Sequence, residues 1–330
     1  MDRFRKFVDP FVISLQRTND TDAPGRNCPV HYRYSASTLD RAPELYADAL
    51  YIVGGLYGNV PALERVLQMP STERGMTQLV FNGDFNWFNV DPESFARINE
   101  AVLQHPALRG NVETELATDD DAPGCGCAYP DWVPDDVVQR SNQIMRILRS
   151  AARNFVALRG RLAALPMHRV AQVGNVKIAV VHGDAESLAG WSFAYEKLSS
   201  SADDTKLKKC FEAAGAPLIA STHTCLPVVK CVALPDGPGA IVNNGSAGMP
   251  NFKGTSYGLV TRIATYPAPR HASCFGVRVR GLYVDLIKVE YDQTRWLQLF
   301  EKNWPRASVA YLSYFDRIVN GPDFSGPVGI

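Results

Sequence analysis

Residues 49–59 read ALYIVGGLYGN, and this stretch decides the fold class. Its first five residues form a continuous apolar run, which is typical of a strand buried on both faces of a sheet. The glycines that follow predict a tight loop. A helix is expected to begin at about Pro61, where apolar side chains recur at helical spacing. A strand, a loop and a helix in this order are the basic unit of an α/β protein.

The same unit recurs along the chain. A second apolar run at 78–81 ends at Asp84, and a third unit closes at Asn111. The segment 113–134 is predicted to be a loop and 135–165 a long helix, because apolar residues recur there at helical spacing. Further strands are predicted at 169–173, 176–181, 217–220, 228–233, 240–243, 257–264 and 275–289, and terminal helices at 292–299 and 307–318.

Composition excludes several classes of protein. The 330 residues include 34 basic and 34 acidic ones, so no extended nucleic-acid surface is indicated. No apolar run approaches the roughly 18 residues of a membrane span, and the N-terminal apolar stretch is interrupted by Asp9 and Pro10, which argues against a signal peptide. The seven cysteines include no C-x-x-C pair, and Cys125 and Cys127 are interpreted as reduced thiols in a turn. The expected location is the cytoplasm.

The chain is predicted to contain one large domain with additions. Residues 1–45 form an N-terminal extension, 46–290 the domain itself, and 291–330 C-terminal helices that pack on it. A helical insert is expected at about 113–165. The extension and the insert are expected to cap a pocket and to control access to it.

Four polar side chains stand directly after separate predicted strands. They are Asp84, Asn111, His182 and His223. Ligands of open α/β sheets gather beyond the carboxyl ends of strands, so we expect these side chains to meet. A mixed set of nitrogen and oxygen donors suits one divalent transition metal, namely Mn, Fe or Zn.

The order of the loops resembles that of the calcineurin-like metallophosphoesterases, in particular the small bacterial type. That family's usual string is D-x-H-G-N, G-D, G-N-H-D/E, H-G and G-H-x-H. The corresponding blocks here are Gly55-Leu56-Tyr57-Gly58-Asn59, Gly83-Asp84, Gly110-Asn111-Val112-Glu113, His182-Gly183 and Thr222-His223-Thr224-Cys225. The match covers residues 49–265. It implies an α/β fold in which two mixed β-sheets form a sandwich flanked by helices, layered α/β/β/α.

The resemblance also implies roles for single residues. Asp84, Asn111, His182 and His223 match the ligands of the family's second metal, and Asp84 and Asn111 match catalytic positions. The first metal position is degenerate, because Gly55, Tyr57 and Cys225 stand where the family has an Asp and two His. Val112 replaces the usual catalytic histidine.

Three hypotheses follow from these departures. The chain is a mononuclear hydrolase of a phosphomonoester or phosphodiester, acting on a phosphorylated small molecule or nucleotide, with Asp184 or Glu113 as candidate replacement acids. Alternatively, it is a pseudoenzyme that binds a metal, phosphate or nucleotide in a regulatory role. The third hypothesis is a rebuilt first site that uses a Tyr57 phenolate, a Cys225 thiolate and Asp84.

Two other enzyme classes fit poorly. The glycines at 54, 55 and 58 lack the G-x-G-x-x-G spacing of a dinucleotide loop. Six residues beyond Cys225 lies Cys231, where a cysteine phosphatase needs an arginine. Three arginines are candidates for contact with a phosphate, but Arg109, Arg140 and Arg146 are interpreted as solvated helix charges. The oligomeric state stays open.

Overall fold

The computed structural model describes residues 23–118, 124–200, 204–269 and 271–330. Residues 1–22 of the predicted extension 1–45 therefore lie outside the described residues. Within the described ranges the strands are β1 (Leu45–Ala47), β2 (Ala49–Val53), β3 (Thr77–Asn82), β4 (Ala107–Leu108), β5 (His168–Val173), β6 (Val176–Val181), β7 (Leu218–Ser221), β8 (Pro227–Leu234), β9 (Gly237–Asn244), β10 (Gly258–Ala264), β11 (Ser273–Val279) and β12 (Leu282–Val289). The helices are α1 (Val60–Gln68), α2 (Pro92–Val102), α3 (Asn111–Ala117), α4 (Asp135–Ala152), α5 (Val156–Ala163), α6 (Tyr195–Leu198), α7 (Asp204–Ala214), α8 (Gln293–Asn303) and α9 (Val309–Asn320).

The strands form two six-stranded mixed sheets. One has the order β1-β5-β6-β7-β9-β8, and the other has the order β11-β12-β10-β2-β3-β4. Strands β2, β3 and β4 run parallel in the second sheet, as do β6, β7 and β9 in the first. The loops that contain the predicted site residues follow the carboxyl ends of these parallel strands.

An apolar core fills the space between the sheets. In β2, Leu50 and Ile52 belong to this core, whereas Tyr51 and Val53 point to the other face and pack beneath helices. Side chains of β6 alternate in the same way between the inner core and a third cluster that includes residues of α7. Apolar residues at every strand position are thus explained by burial on both faces. The predicted α/β/β/α sandwich is confirmed.

Two predicted boundaries are wrong for a local reason. The predicted strand 275–289 is a hairpin of β11 and β12, because Arg280 and Gly281 both have positive φ angles (50° and 85°) and form a two-residue turn. The predicted long helix 135–165 is two helices, since the backbone of Phe155 leaves helical geometry where its ring packs 4.8 Å from that of Phe95.

A third boundary is wrong because acidic residues at the start of the predicted loop are buried. The start of the predicted loop 113–134 is helical, as α3 continues to Ala117. Glu113 and Glu115 are both buried: Glu113 accepts backbone N–H groups, and Glu115 forms an ion pair with Arg149. Helices α6 and α7 and strand β1 were not predicted.

The chain segments outside the predicted domain pack closely on the sandwich. Tyr32 is fully buried and donates a hydrogen bond of 2.5 Å to the Glu115 carboxylate, and Leu39 is fully buried in the cluster that includes α7 residues. At the other end of the chain, α8 contacts α1 and α9 contacts α4. None of the described helices combines the length and apolar character that crossing a bilayer requires.

A buried ion pair ties the second sheet to the loop before β3. The Arg262 side chain on β10 is fully buried and donates to both carboxylate oxygens of Glu73, over 2.6 and 2.8 Å. The Tyr51 hydroxyl donates to the same carboxylate. Because the partners lie in a region of low dielectric, losing one charge leaves the other unpaired in the interior.

We therefore expect Arg262→Met to lower the free energy of unfolding by about 3 kcal/mol, measured by urea denaturation. The matched control is Arg97→Met, since Arg97 forms an exposed ion pair with Glu64 and its loss should cost less than about 1 kcal/mol. Equal losses in the two variants would contradict the buried role of Arg262.

Candidate metal centre

Asp84, Asn111, His182 and His223 come together at the junction of the two sheets. Asp84 follows β3, Asn111 begins α3 just beyond β4, His182 follows β6 and His223 follows β7. Strands β3 and β4 belong to one sheet and β6 and β7 to the other, so each sheet contributes two side chains. All four residues are buried.

In its neutral form, the His182 ring turns an unprotonated nitrogen toward its neighbours. Its Nδ1 lies 2.8 Å from the carbonyl oxygen of Asn82, which can only accept a hydrogen bond, so Nδ1 carries the proton. The other nitrogen, Nε2, lies 3.3 Å from Asp84 Oδ2 and 3.3 Å from Asn111 Oδ1. Three atoms with lone pairs therefore face one another.

His223 and the Asn111 amide are oriented in the same manner. The Nε2 of His223 lies 3.1 Å from the Cys127 carbonyl oxygen and donates to it, which leaves Nδ1 facing His182 Nε2 at 3.2 Å. Asn111 donates from Nδ2 to the carbonyl oxygen of Cys125, so its Oδ1 points to the centre. Such outer hydrogen bonds orient ligands in metal sites. Lone pairs that converge this closely repel unless a cation lies between them, so this donor set fits a divalent metal.

The charges at the centre leave His223 neutral and Asp84 ionised at neutral pH. Burial opposes ionisation of Asp84, but the charge of His182 outweighs it, and the pKa of Asp84 lies below its ordinary value. Burial also opposes protonation of His182, but Asp84 outweighs it and raises the His182 pKa. Burial, and after it the His182 charge, lowers the pKa of His223 to about 4.

A buried carboxylate organises the loops that carry Asp84 and Asn111. Glu113 accepts four backbone N–H groups, those of Asp84 (2.7 Å), Phe85 (3.0 Å), Asn86 (3.1 Å) and Gly110 (3.0 Å). Gly83 allows this loop to lie close to the His182 ring, because a Cβ at residue 83 would be only 2.6 Å from His182 Nδ1. Burial and the Asp84 charge raise the pKa of Glu113 to about 7, while the hydrogen bonds act in the opposite direction.

Protein atoms fill the space beside the centre where the first metal position was expected. The hydroxyl of Tyr57 lies 2.8 Å from Cys225 Sγ. A Cβ on Gly55 would lie 2.9 to 3.1 Å from atoms of the Tyr57 ring, so the ring takes the volume that a side chain at 55 would need. Burial raises the pKa of both Tyr57 and Cys225, which keeps both groups protonated at neutral pH.

A cavity of about 560 Å³ opens onto Asp84, Asn111 and His223. Val112 borders it where the catalytic histidine was expected, and Arg317 borders it near Cys225. Seven of the other lining residues are aromatic, namely Tyr57, Trp87, Tyr129, Trp191, Tyr195, Tyr314 and Phe324.

The chain shares its architecture with solved structures. The chain is similar to a metallophosphoesterase from Sphaerobacter thermophilus, with a TM-score of 0.50, 16% identity, and coverage of 81% of this chain and 98% of the other. It is also similar to the hypothetical protein PH1004 from Pyrococcus horikoshii OT3, with a TM-score of 0.56, 14% identity, and coverage of 84% and 99%. The chain has the calcineurin-like metallophosphoesterase fold. No protein-family model and no curated protein matches its sequence.

The two candidate acids do not face the cavity of this metallophosphoesterase fold. Glu113 is occupied by the four backbone N–H groups. Asp184 accepts N–H groups of Glu186 and Ser187 on one oxygen and of Ser192 on the other, so it organises its own turn. Both carboxylates thus stabilise loops.

The three arginines named from the sequence also do not border the cavity. Arg109 is half-buried beyond β4, where Nη1 donates to the Ala163 carbonyl oxygen, so its interpretation as a solvated helix charge is wrong. Arg140 on α4 donates to Ser313 and forms an ion pair with Asp136, and Arg146 is exposed.

Sequence reasoning missed three contributors to the site. The Cys127 carbonyl oxygen orients His223 and also accepts from Trp191 Nε1, so the C-G-C turn acts through its backbone. Trp191 lies edge-on to His223, with ring centroids 5.3 Å apart. Arg317 reaches the cavity from the last turn of α9. Arg317 stands between Tyr314 and Ile318 on a largely apolar helix face. This isolated charge is the sequence feature that could have indicated its role.

We expect Glu113→Gln to lower the free energy of unfolding by at least about 2 kcal/mol, because an amide NH₂ cannot accept two of the four buried N–H groups. Metal affinity should fall about tenfold or more, since the Asp84 loop loses its support. The measurements are urea denaturation and calorimetric titration with Zn²⁺.

The matched control for this prediction is Glu100→Gln on the exposed face of α2, which should change neither quantity appreciably. If the Glu113 and Glu100 variants unfold at the same urea concentration, the supporting role of Glu113 is contradicted.

Proposed function

We propose that the protein is a metal-dependent phosphoesterase that holds one divalent transition metal, Mn, Fe or Zn, between Asp84, Asn111, His182 and His223. The observation that carries this proposal is the convergence of four lone-pair donors, each oriented by a backbone hydrogen bond or a neighbouring side chain. The similarity to metallophosphoesterase structures supports the fold on which the proposal rests.

A metal bound there would act as a Lewis acid, polarising a phosphoryl oxygen and lowering the pKa of bound water. The remaining roles belong to side chains of the protein. Asp84 and the neutral His223 supply donors, and the surrounding hydrogen bonds keep them in place before substrate arrives. The buried Tyr57–Cys225 pair excludes solvent from the neighbouring position.

The cavity supports a phosphorylated small molecule or nucleotide as the substrate. Seven aromatic side chains line it, and aromatic rings stack on nucleobases and on other planar groups. A volume of about 560 Å³ lies within the range of small-molecule sites.

The replacement of the usual histidine by Val112 has a consequence for the leaving group. The isopropyl group of Val112 borders the cavity and cannot donate a proton. General acid catalysis usually contributes about 10²- to 10⁴-fold, so esters with basic leaving groups should be poor substrates. We infer a preference for phosphoesters whose alcohol leaves as a stable anion.

A second candidate function is a pseudoenzyme that binds a metal, phosphate or nucleotide in a regulatory role. The observations that favour it are Val112 in place of an acid and the filled position beside the centre. Metal-dependent hydrolysis that disappears in Asp84→Ala would exclude this candidate.

The first prediction from the proposal concerns metal content. After loading with Mn²⁺ and removal of excess ion, the protein should retain about one ion per chain, because the Tyr57–Cys225 pair fills the degenerate first metal position. Asp84→Ala and His223→Ala should each retain less than about a tenth of an ion per chain by mass spectrometry of metals.

The control for metal content is His271→Ala, which removes an exposed histidine outside the site. Two ions per chain would support the rebuilt first site of Tyr57, Cys225 and Asp84 instead of a single metal. No retained ion would contradict the metal centre itself.

The second prediction concerns the leaving group. Val112→His should raise the turnover of phenyl phosphate by at least about tenfold and change that of para-nitrophenyl phosphate much less, since only the basic leaving group needs a proton. The control is Val112→Phe, which adds a ring without an acid. Equal changes for both esters, or equal effects of His and Phe, would contradict this account.

A further inference from the structure

Arg317 presents a cation to the cavity from a part of the chain outside the loop motifs. It lies in the last turn of α9, on the face that also turns Ser313 and Tyr314 to the cavity. Its Nη2 donates a hydrogen bond of 2.7 Å to the carbonyl oxygen of Cys225. The guanidinium is thereby anchored beside the loop that carries His223 and Cys225.

The guanidinium retains hydrogen-bonding capacity where it stands. Its Nε is buried and has no hydrogen-bond partner among the described residues. Its neighbour in sequence, Asp316, is exposed and pairs with Asn320 instead. Asp323, at the rim of the cavity, forms an ion pair of 2.9 Å with Lys253. A partly buried cation with an unpartnered N–H group is costly unless an anion completes its contacts.

Arg317 lies beside the degenerate metal position. Cys225 links the two features: its carbonyl oxygen accepts from Arg317, while its Sγ lies 2.8 Å from the Tyr57 hydroxyl. The positive charge therefore stands next to the filled position and on the same cavity as Asp84 and Asn111.

We propose that Arg317 binds a phosphoryl group of the ligand, supplying the second positive charge that the degenerate metal position no longer provides. The planar guanidinium offers parallel N–H groups that match two phosphoryl oxygens. The phosphoryl group then lies between Arg317 and the metal-binding residues, with the organic part of the ester along the aromatic wall. This inference rests on the proposed function, because it assumes that the cavity takes a phosphate ester.

Calorimetric titration with inorganic phosphate tests this role without relying on turnover. In Mn²⁺-loaded protein, Arg317→Gln should weaken phosphate binding by about tenfold to a hundredfold, which is usual for the loss of charge-assisted hydrogen bonds. Arg317→Lys keeps the charge without the planar fork, so its affinity should lie between those of the wild type and the Gln variant. Retained Mn²⁺ should be unchanged in both variants.

The matched control is Arg295→Gln on α8, which removes an arginine paired with Glu64 and leaves the cavity intact. If Arg317→Gln binds phosphate as tightly as Arg295→Gln, the inference is overturned and Arg317 only supports the Cys225 loop. Wild-type protein that binds no phosphate at millimolar concentration also overturns it, while metal content and turnover still judge the proposed function separately. Arg317-dependent phosphate binding without hydrolysis would uphold the inference and support the pseudoenzyme candidate.

Discussion

The geometry of the site depends on one buried carboxylate. Glu113 accepts the N–H groups of Asp84, Phe85, Asn86 and Gly110, and so joins the loop after β3 to the loop after β4. Asp84 is thereby held in a left-handed conformation with φ of 54°, which is costly for a side chain other than glycine. The strain is sustained because four hydrogen bonds determine the loop, and the result is a carboxylate aimed at His182.

The site has two halves, the predicted metal ligands and the Tyr57–Cys225 pair. They differ in how their polar atoms find hydrogen-bond partners. Donors on Asn111, His182 and His223 are used up on carbonyl oxygens, so the remaining lone pairs have only one another and Asp84 to face. Tyr57 and Cys225 satisfy each other within hydrogen-bond distance. The first half presents lone pairs that suit a cation, whereas the second half is complete as a hydrogen-bonded protein interior.

The parts of the fold that the sequence could predict are those in which one residue pattern has one physical meaning. Strand β2 was predicted with its observed bounds, because five successive apolar residues require burial on both faces. The hairpin turn at Arg280 was missed, since a positive φ at an arginine leaves no pattern in the sequence. Helix α3 was partly missed because burial of Glu113 and Glu115 depends on partners elsewhere in the chain.

The same distinction applies to the candidate site. Each of Asp84, Asn111, His182 and His223 stands at a strand end, so topology alone predicted that they meet. Arg317 reaches the loop of Cys225 across 92 residues, and only the packing of α9 shows the contact. Contacts made by added elements after the common sandwich cannot be inferred from the order of loop motifs.

One explanation covers the substitutions at the degenerate position when both charge and volume are considered. A divalent cation and the carboxylate that binds it, in the pattern that this sequence resembles, together carry one net positive charge. Gly55 removes that carboxylate, the Tyr57 ring fills the volume, and the Arg317 guanidinium carries the same single positive charge. A guanidinium also needs no recruitment from solution, although it cannot polarise an attacking water as a metal does. Under the proposed function, this exchange favours holding a phosphoryl group over activating the group that attacks it, which is the balance expected of a site that binds phosphate well and hydrolyses only esters with good leaving groups.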